Sequence, residues 1–165
     1  MTAKELILDQ LAACNDRNGW FVSAASALKG LSAEGAARGG GGSQHSVWQI
    51  VNHIIFWNER YLLRFRDRQV GKVESSEATF EGERTSGSDA EWQAVVSKLG
   101  LVMTEWIAAV RDADDARLAE PTHPGKPETW IQALANTAIH TAYHVGQIVT
   151  LRKEHGDWDP SQGVS

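Results

Sequence analysis

Apolar residues recur with a helical period in four long stretches of this chain, and each stretch opens on the same signal. Thr2, Ser46, Ser88 and Thr129 are each followed three positions later by Glu5, Gln49, Glu91 or Gln132. This reciprocal pairing satisfies the free backbone N–H groups of a helix start. Stop signals follow: Gly30, Gly71, the pair Pro121 and Pro124, and Gly156. The pattern predicts helices over roughly 3–29, 46–69, 89–112 and 130–154, the first broken or kinked at Asn15-Asp16-Arg17-Asn18-Gly19, where turn formers interrupt it. No stretch sustains the two-residue alternation of a strand, so the expected class is all-α. In the third stretch Trp92, Val95, Val96, Leu99, Val102, Met103, Trp106 and Val110 share one stripe, which is read as core packing.

The fourth stretch is unusual in its polar residues. From Ile131 to Leu151 it carries no Asp, Glu, Lys or Arg, yet it contains Gln132, Asn136, Thr137, His140, Thr141, His144 and Gln147. So many hydrogen-bonding groups would be costly in hydrocarbon, and the helix is expected to be buried in protein. His140, His144 and Gln147 fall on one line with Asn136 and Tyr143 beside it, while Ile131, Leu134, Ala138, Ala142, Val145 and Val149 lie opposite. An uncharged polar stripe on a buried helix suggests a wet pocket. The apolar side suits either the core or a homodimer interface.

In the second stretch Ser46, Gln49, His53, Trp57, Arg60 and Arg64 share a line. Alone, that line equally suits a solvated face. The pair on the fourth helix changes its meaning, because histidines four apart can hold one ion and a facing helix of a bundle can supply a third ligand. Three neutral nitrogens would leave positions open for water or substrate. The residues between His140 and His144 are Thr-Ala-Tyr, so this is not H-E-x-x-H and no glutamate stands ready as a peptidase base.

Composition narrows the function. A chain of 165 residues suits a single domain that buries roughly 70% of its unfolded surface. With 21 acidic against 16 basic side chains and a net charge of −5, no basic cluster points to nucleic acid. The one cysteine, Cys14, excludes an internal disulfide and fits a reducing, cytoplasmic setting. The first residues lack the apolar run of a signal peptide, and no membrane partner is expected. Of the six histidines, His45, His123 and His155 are read as surface groups. Gly39–Gly42 reads as a flexible loop within the domain, and the link from Gly71 to Gly87 is long enough for a crossover between the second and third helices.

The segment Ser46-Val-Trp-Gln-Ile-Val-Asn-His53-Ile-Ile-Phe-Trp57-Asn-Glu-Arg60, together with His140-Thr-Ala-Tyr143-His144-Val-Gly146-Gln147-Ile148-Val-Thr-Leu-Arg152, resembles the DinB-like superfamily of metal-binding four-helix bundles. Gly19-Trp20, Leu28 to Glu34 and Gly156-Asp-Trp158-Asp-Pro160 extend the likeness over most of the chain. The glycine run before the second helix departs from it, since relatives often carry bulkier residues there. The resemblance implies a four-helix bundle of up-down-down-up topology spanning 1–165 as one domain. It also implies one divalent ion, zinc or nickel, on His53, His140 and His144. Relatives include bacillithiol S-transferases and mycothiol-dependent maleylpyruvate isomerases, in which a low-molecular-weight thiol is activated at the metal.

The expected function is therefore metal-dependent activation of a thiol cosubstrate, or of water, toward a small-molecule substrate, by a transferase, isomerase or hydrolase. Gln147 and Tyr143 are the expected catalytic hydrogen-bonding residues, and Trp57, Arg60 and Asn136 the expected pocket residues, although Arg60 equally suits open solvent. The other class is a non-catalytic bundle that binds metal or a protein partner.

Overall fold

The structure, a computed structural model, describes residues 1–39 and 45–163. Its long helices are α1 (Ala3–Asn15), α4 (Val47–Phe65), α6 (Asp89–Asp112) and α8 (Trp130–Glu154), with short helices α2 (Ala24–Leu28), α3 (Ala33–Ala37), α5 (Ala78–Glu81) and α7 (Asp115–Ala119) in the connections. Among the described residues there is no strand, only an isolated bridge between Pro121 and Thr129. Three predicted caps close in both directions, at Thr2/Glu5, Ser46/Gln49 and Ser88/Glu91. At the fourth, the Gln132 side chain accepts from Thr129 N at 2.9 Å.

Two boundaries differ from the sequence expectation. The first helix does not resume after its break as one rod, because Ser23 caps α2 and Ser32 caps α3 as separate short helices. Instead of running to residue 69, α4 stops at Phe65, where Asp67 turns the chain with φ +57°. Arg117 locks that end, donating to the Phe65 carbonyl and to the Asp67 carboxylate. By contrast, α6 spans Asp89–Asp112 as expected, and Asp114 then caps α7 by accepting from Arg117 N at 2.7 Å. Most of the glycine run, Gly40–Gly42, lies outside the described residues.

The pairings give the topology. Trp48 meets Trp92 at 5.0 Å between ring centroids, and further along both helices Trp106 Nε1 donates to Asn58 O at 3.1 Å, so α4 and α6 run parallel. Lys4 at the start of α1 reaches Ala113 just past the end of α6, which makes those two antiparallel. Asn58 lies toward Thr141 while His53 lies beside His144, so α4 and α8 are antiparallel. The result is an up-down-down-up four-helix bundle. The connection between the two parallel helices, residues 66–88, must travel the full bundle length, which accounts for its extent.

The core runs from Ile7 and Leu11 through Trp48, Val51, Trp92 and Trp106 to Leu134 and Ile148. Leu134, Ala138, Val145 and Val149 of α8 are buried in it, so that stripe belongs to the monomer core and is not free for a second copy. Burial of α8 is one-sided, contrary to expectation. Asn136, Gly146 and Thr150 are exposed, as are Ile139 at 67% and Tyr143 at 62%, because four helices can cover only the inner arc of each member.

Candidate metal centre

Halfway along the bundle, α4 and α8 bring three imidazoles to one point. His53 Nε2 and His144 Nε2 each lie 3.1 Å from His140 Nε2. Ligating atoms of all three fall within 4.8 Å of one another. His53 and His144 are 5% and 6% exposed, and His140 is half-buried. A tetrahedral ion with bonds of about 2.0–2.1 Å to nitrogen separates its ligands by about 3.3 Å. The observed spacing is close to that.

Hydrogen bonding at the far side of two rings determines what the near side can offer. Thr79 donates its hydroxyl hydrogen to Ser76 O at 2.6 Å, so at its 2.6 Å contact with His53 Nδ1 it can only accept. The proton of His53 therefore sits on Nδ1. Gln147 Oε1 lies 2.6 Å from His144 Nδ1 and holds that ring's proton in the same way, while Gln147 Nε2 donates to Tyr143 Oη at 3.2 Å. Two bare Nε2 lone pairs thus converge on His140 Nε2, which carries at most one proton and can satisfy only one of them. A dication satisfies all three, so this donor set fits a metal.

The electrostatics agree. Burial, reinforced by charge on His144, His140 and His45, pushes His53 down to about 3. Burial and then His144 push His140 down to about 4. His144 is also lowered by burial, with the Gln147 hydrogen bond acting in the opposite direction. All three rings are neutral near pH 7, the form that binds metal.

Two cavities flank the cluster. One of about 240 Å³ is lined by His140 with Trp57, Tyr61, Glu128, Asn136 and Thr137. The other, of about 670 Å³, is lined by His144 with His45, Phe80, Tyr143, Gly146 and Gln147. Trp57 and Asn136 therefore border the first cavity, and Tyr143 and Gln147 the second. Arg60 lines neither among the described residues. It lies near enough to His123 for its charge to act on that ring.

Sequence reasoning missed the contribution of the long link. α5 carries Thr79, the partner of His53, and Phe80, whose ring stacks on His53 at 3.9 Å and 13°. His45 is no surface group either: it stacks on the other side of this aromatic unit, 3.8 Å from Phe80 at 8°, and its Nε2 pairs with Glu77 at 3.6 Å. No periodic signal marks these positions. Cys14 behaves as expected, buried at 1% exposure with its thiol pushed up to about 11 by desolvation.

YfiT from Bacillus subtilis, described as a probable metal-dependent hydrolase with an unusual four-helix bundle topology, is similar to this chain with a TM-score of 0.71. The match covers 94% of this chain and 89% of that one at 16% identity, a likeness of fold. No curated protein matches the chain. The sequence model of the DinB superfamily matches residues 22–148, most of the chain and all three histidines, and this protein belongs to that superfamily.

Proposed function

We propose that the protein is a divalent-metal enzyme that activates a small nucleophile, either a low-molecular-weight thiol or water, for attack on a small-molecule substrate. The observation that carries this reading is the convergence of three imidazole nitrogens within 4.8 Å of one another, with Thr79 and Gln147 each 2.6 Å from the outer nitrogens of His53 and His144. A bound dication, zinc or nickel, supplies Lewis acidity that lowers the pKa of a coordinated water or thiol. The chain's own residues prepare the site for it. Thr79 and Gln147 keep protons on the outer nitrogens, and Phe80 and Trp57 wall the cluster from solvent. Tyr143 Oη accepts from Gln147, which leaves its own hydrogen free to donate to a ligand in the larger cavity.

Any thiol must arrive with a cosubstrate, because Cys14 is buried, protonated and bonded to Ala138 O at 3.2 Å. We place this reaction in a reducing cytoplasm, independent of nucleic acid and membrane.

Elemental analysis of untagged protein tests the reading. Wild type should hold one divalent ion per chain, and His53→Ala and His140→Ala should lose it. Equal metal in wild type and variants overturns the site. With metal present, disappearance of free thiol on mixing with a panel of electrophiles supports transfer, whereas inertness toward every thiol and every hydrolysable substrate supports a bundle that binds metal without catalysis.

A further inference from the structure

The larger cavity has a chemistry that the metal reading leaves unused. Its floor is apolar, formed by Ile50, Phe80 and Leu151, and its rim carries uncharged hydrogen-bonding groups from Tyr143, Gln147 and Thr150. Among the described residues no Lys, Arg, Asp or Glu lines it. The smaller cavity on the opposite side of the histidines is different, since Glu128 forms part of its wall. With no ion on the histidines, an ionic group entering the larger cavity would lose water and gain no counter-charge from the lining, a large cost. An aromatic or aliphatic body would gain by leaving water.

His45 is built into this cavity rather than left on its edge. Phe80 stands between His45 and His53 in a near-parallel stack of three rings, with centroid separations of 3.8 and 3.9 Å. Glu77 contacts the Nε2 side of His45, and Nδ1 has no partner among the described residues. A ring held on its face by Phe80 is partly preorganised, so a hydrogen bond at its remaining nitrogen costs less ordering entropy. Gly146 supplies the opposite wall. Its backbone is helical, and a Cβ placed there would meet nothing within 4 Å, so a ligand can approach the α8 backbone closely.

We propose that this cavity is a binding subsite for an uncharged, apolar-bodied molecule with one polar end, and that His45 is the positioning residue that hydrogen-bonds that end. The inference deepens the proposed function, because it gives the enzyme's organic substrate a place beside the three histidines, separate from the Glu128 cavity.

The experiment uses benzyl alcohol, fluorobenzene and benzoate as probes on the full chain, with zinc content measured on every sample. Binding is followed by backbone and imidazole NMR shifts in zinc-loaded and in chelator-treated protein. Benzyl alcohol should shift the signals of Gly146, Phe80 and His45, and in chelator-treated protein it should bind at least tenfold more tightly than benzoate. Gly146→Phe fills the space from an open position and should weaken benzyl alcohol at least tenfold. His45→Ala should weaken benzyl alcohol at least fivefold while changing fluorobenzene, which has no hydroxyl, much less; a purely structural role would weaken both alike.

Shifts confined to other regions, equal binding of benzoate to chelator-treated protein, or full binding to folded Gly146→Phe would each overturn the subsite. Failure of the metal reading shows separately, as benzyl alcohol binding at Gly146 in wild-type protein that takes up no zinc when zinc is supplied. A Gly146→Phe variant that keeps its zinc but loses benzyl alcohol upholds both.

Discussion

Thr79 and Gln147 do what the three ligands cannot do for themselves. Each removes one of the two tautomers open to a neutral imidazole, and partners of this kind are typically worth 10–100-fold in metal affinity. Thr79→Val keeps the shape of the side chain and deletes the acceptor. It should weaken zinc by that factor in competition with a chromophoric chelator, with Thr79→Ser close to wild type. Equal affinity in all three would remove Thr79 from the site.

The histidines also set a pH dependence. Their pKa values are depressed in the folded state, to about 3 for His53 and about 4 for His140, against about 6.5 in an unfolded chain. Between these limits the unfolded chain binds more protons, so stability rises with pH. Metal-free protein should accordingly lose stability as pH falls from about 6.5 toward 4. His53→Gln should show a shallower slope in urea titrations across that window, and an unchanged slope would mean the ring is hydrated in the fold. The ligands themselves were legible in the sequence because an i, i+4 pair on a charge-free helix stands out. Thr79, Phe80 and His45 were not, since they act across space from segments without a period.

Element boundaries obey local chemistry where a cap exists and tertiary contacts where none does. The four helix starts were readable because each cap is a local four-residue device. The end of α4 was hidden because Arg117, 52 residues further along the chain, closes it. At the end of α8, Arg152 is 4% exposed and donates to Ala27 O at 2.8 Å, Lys29 O at 3.0 Å and Asp157. It ties α2 and the C-terminal turn to the last helix. Arg152→Ala strands three carbonyls, that of Asp157 included, and a carboxylate, and should cost about 2–4 kcal/mol in urea unfolding. Arg152→Lys should recover little, because an ammonium cannot replace the planar fork; full recovery would reduce the role to charge. On α6, a Cβ at Gly100 would meet nothing within 4 Å. Gly100→Ala should therefore stabilise by about 0.5–1 kcal/mol, and a loss of stability would place a neighbour there.

For the whole molecule, bundle and crossover were readable from helix number and link length, whereas the way the link folds back onto His53 depends on packing that no pattern encodes. Because the three histidines join α4 to α8, an ion bound by them should stabilise the entire fold. At free zinc 100 times the dissociation constant the gain is about 2.7 kcal/mol. Calorimetry should show the unfolding temperature rising with zinc in wild type and staying fixed in His140→Ala.

The same geometry orders events in time. His53 emerges during synthesis 87 residues before its first partner on α8, and Thr79 is made in between. A nascent chain therefore owns one ligand and its hydrogen-bond partner long before it owns a site. On the proposed metal reading, an ion cannot template the first half of the fold, loading follows the docking of the final helix, and a chain truncated before residue 140 should bind none.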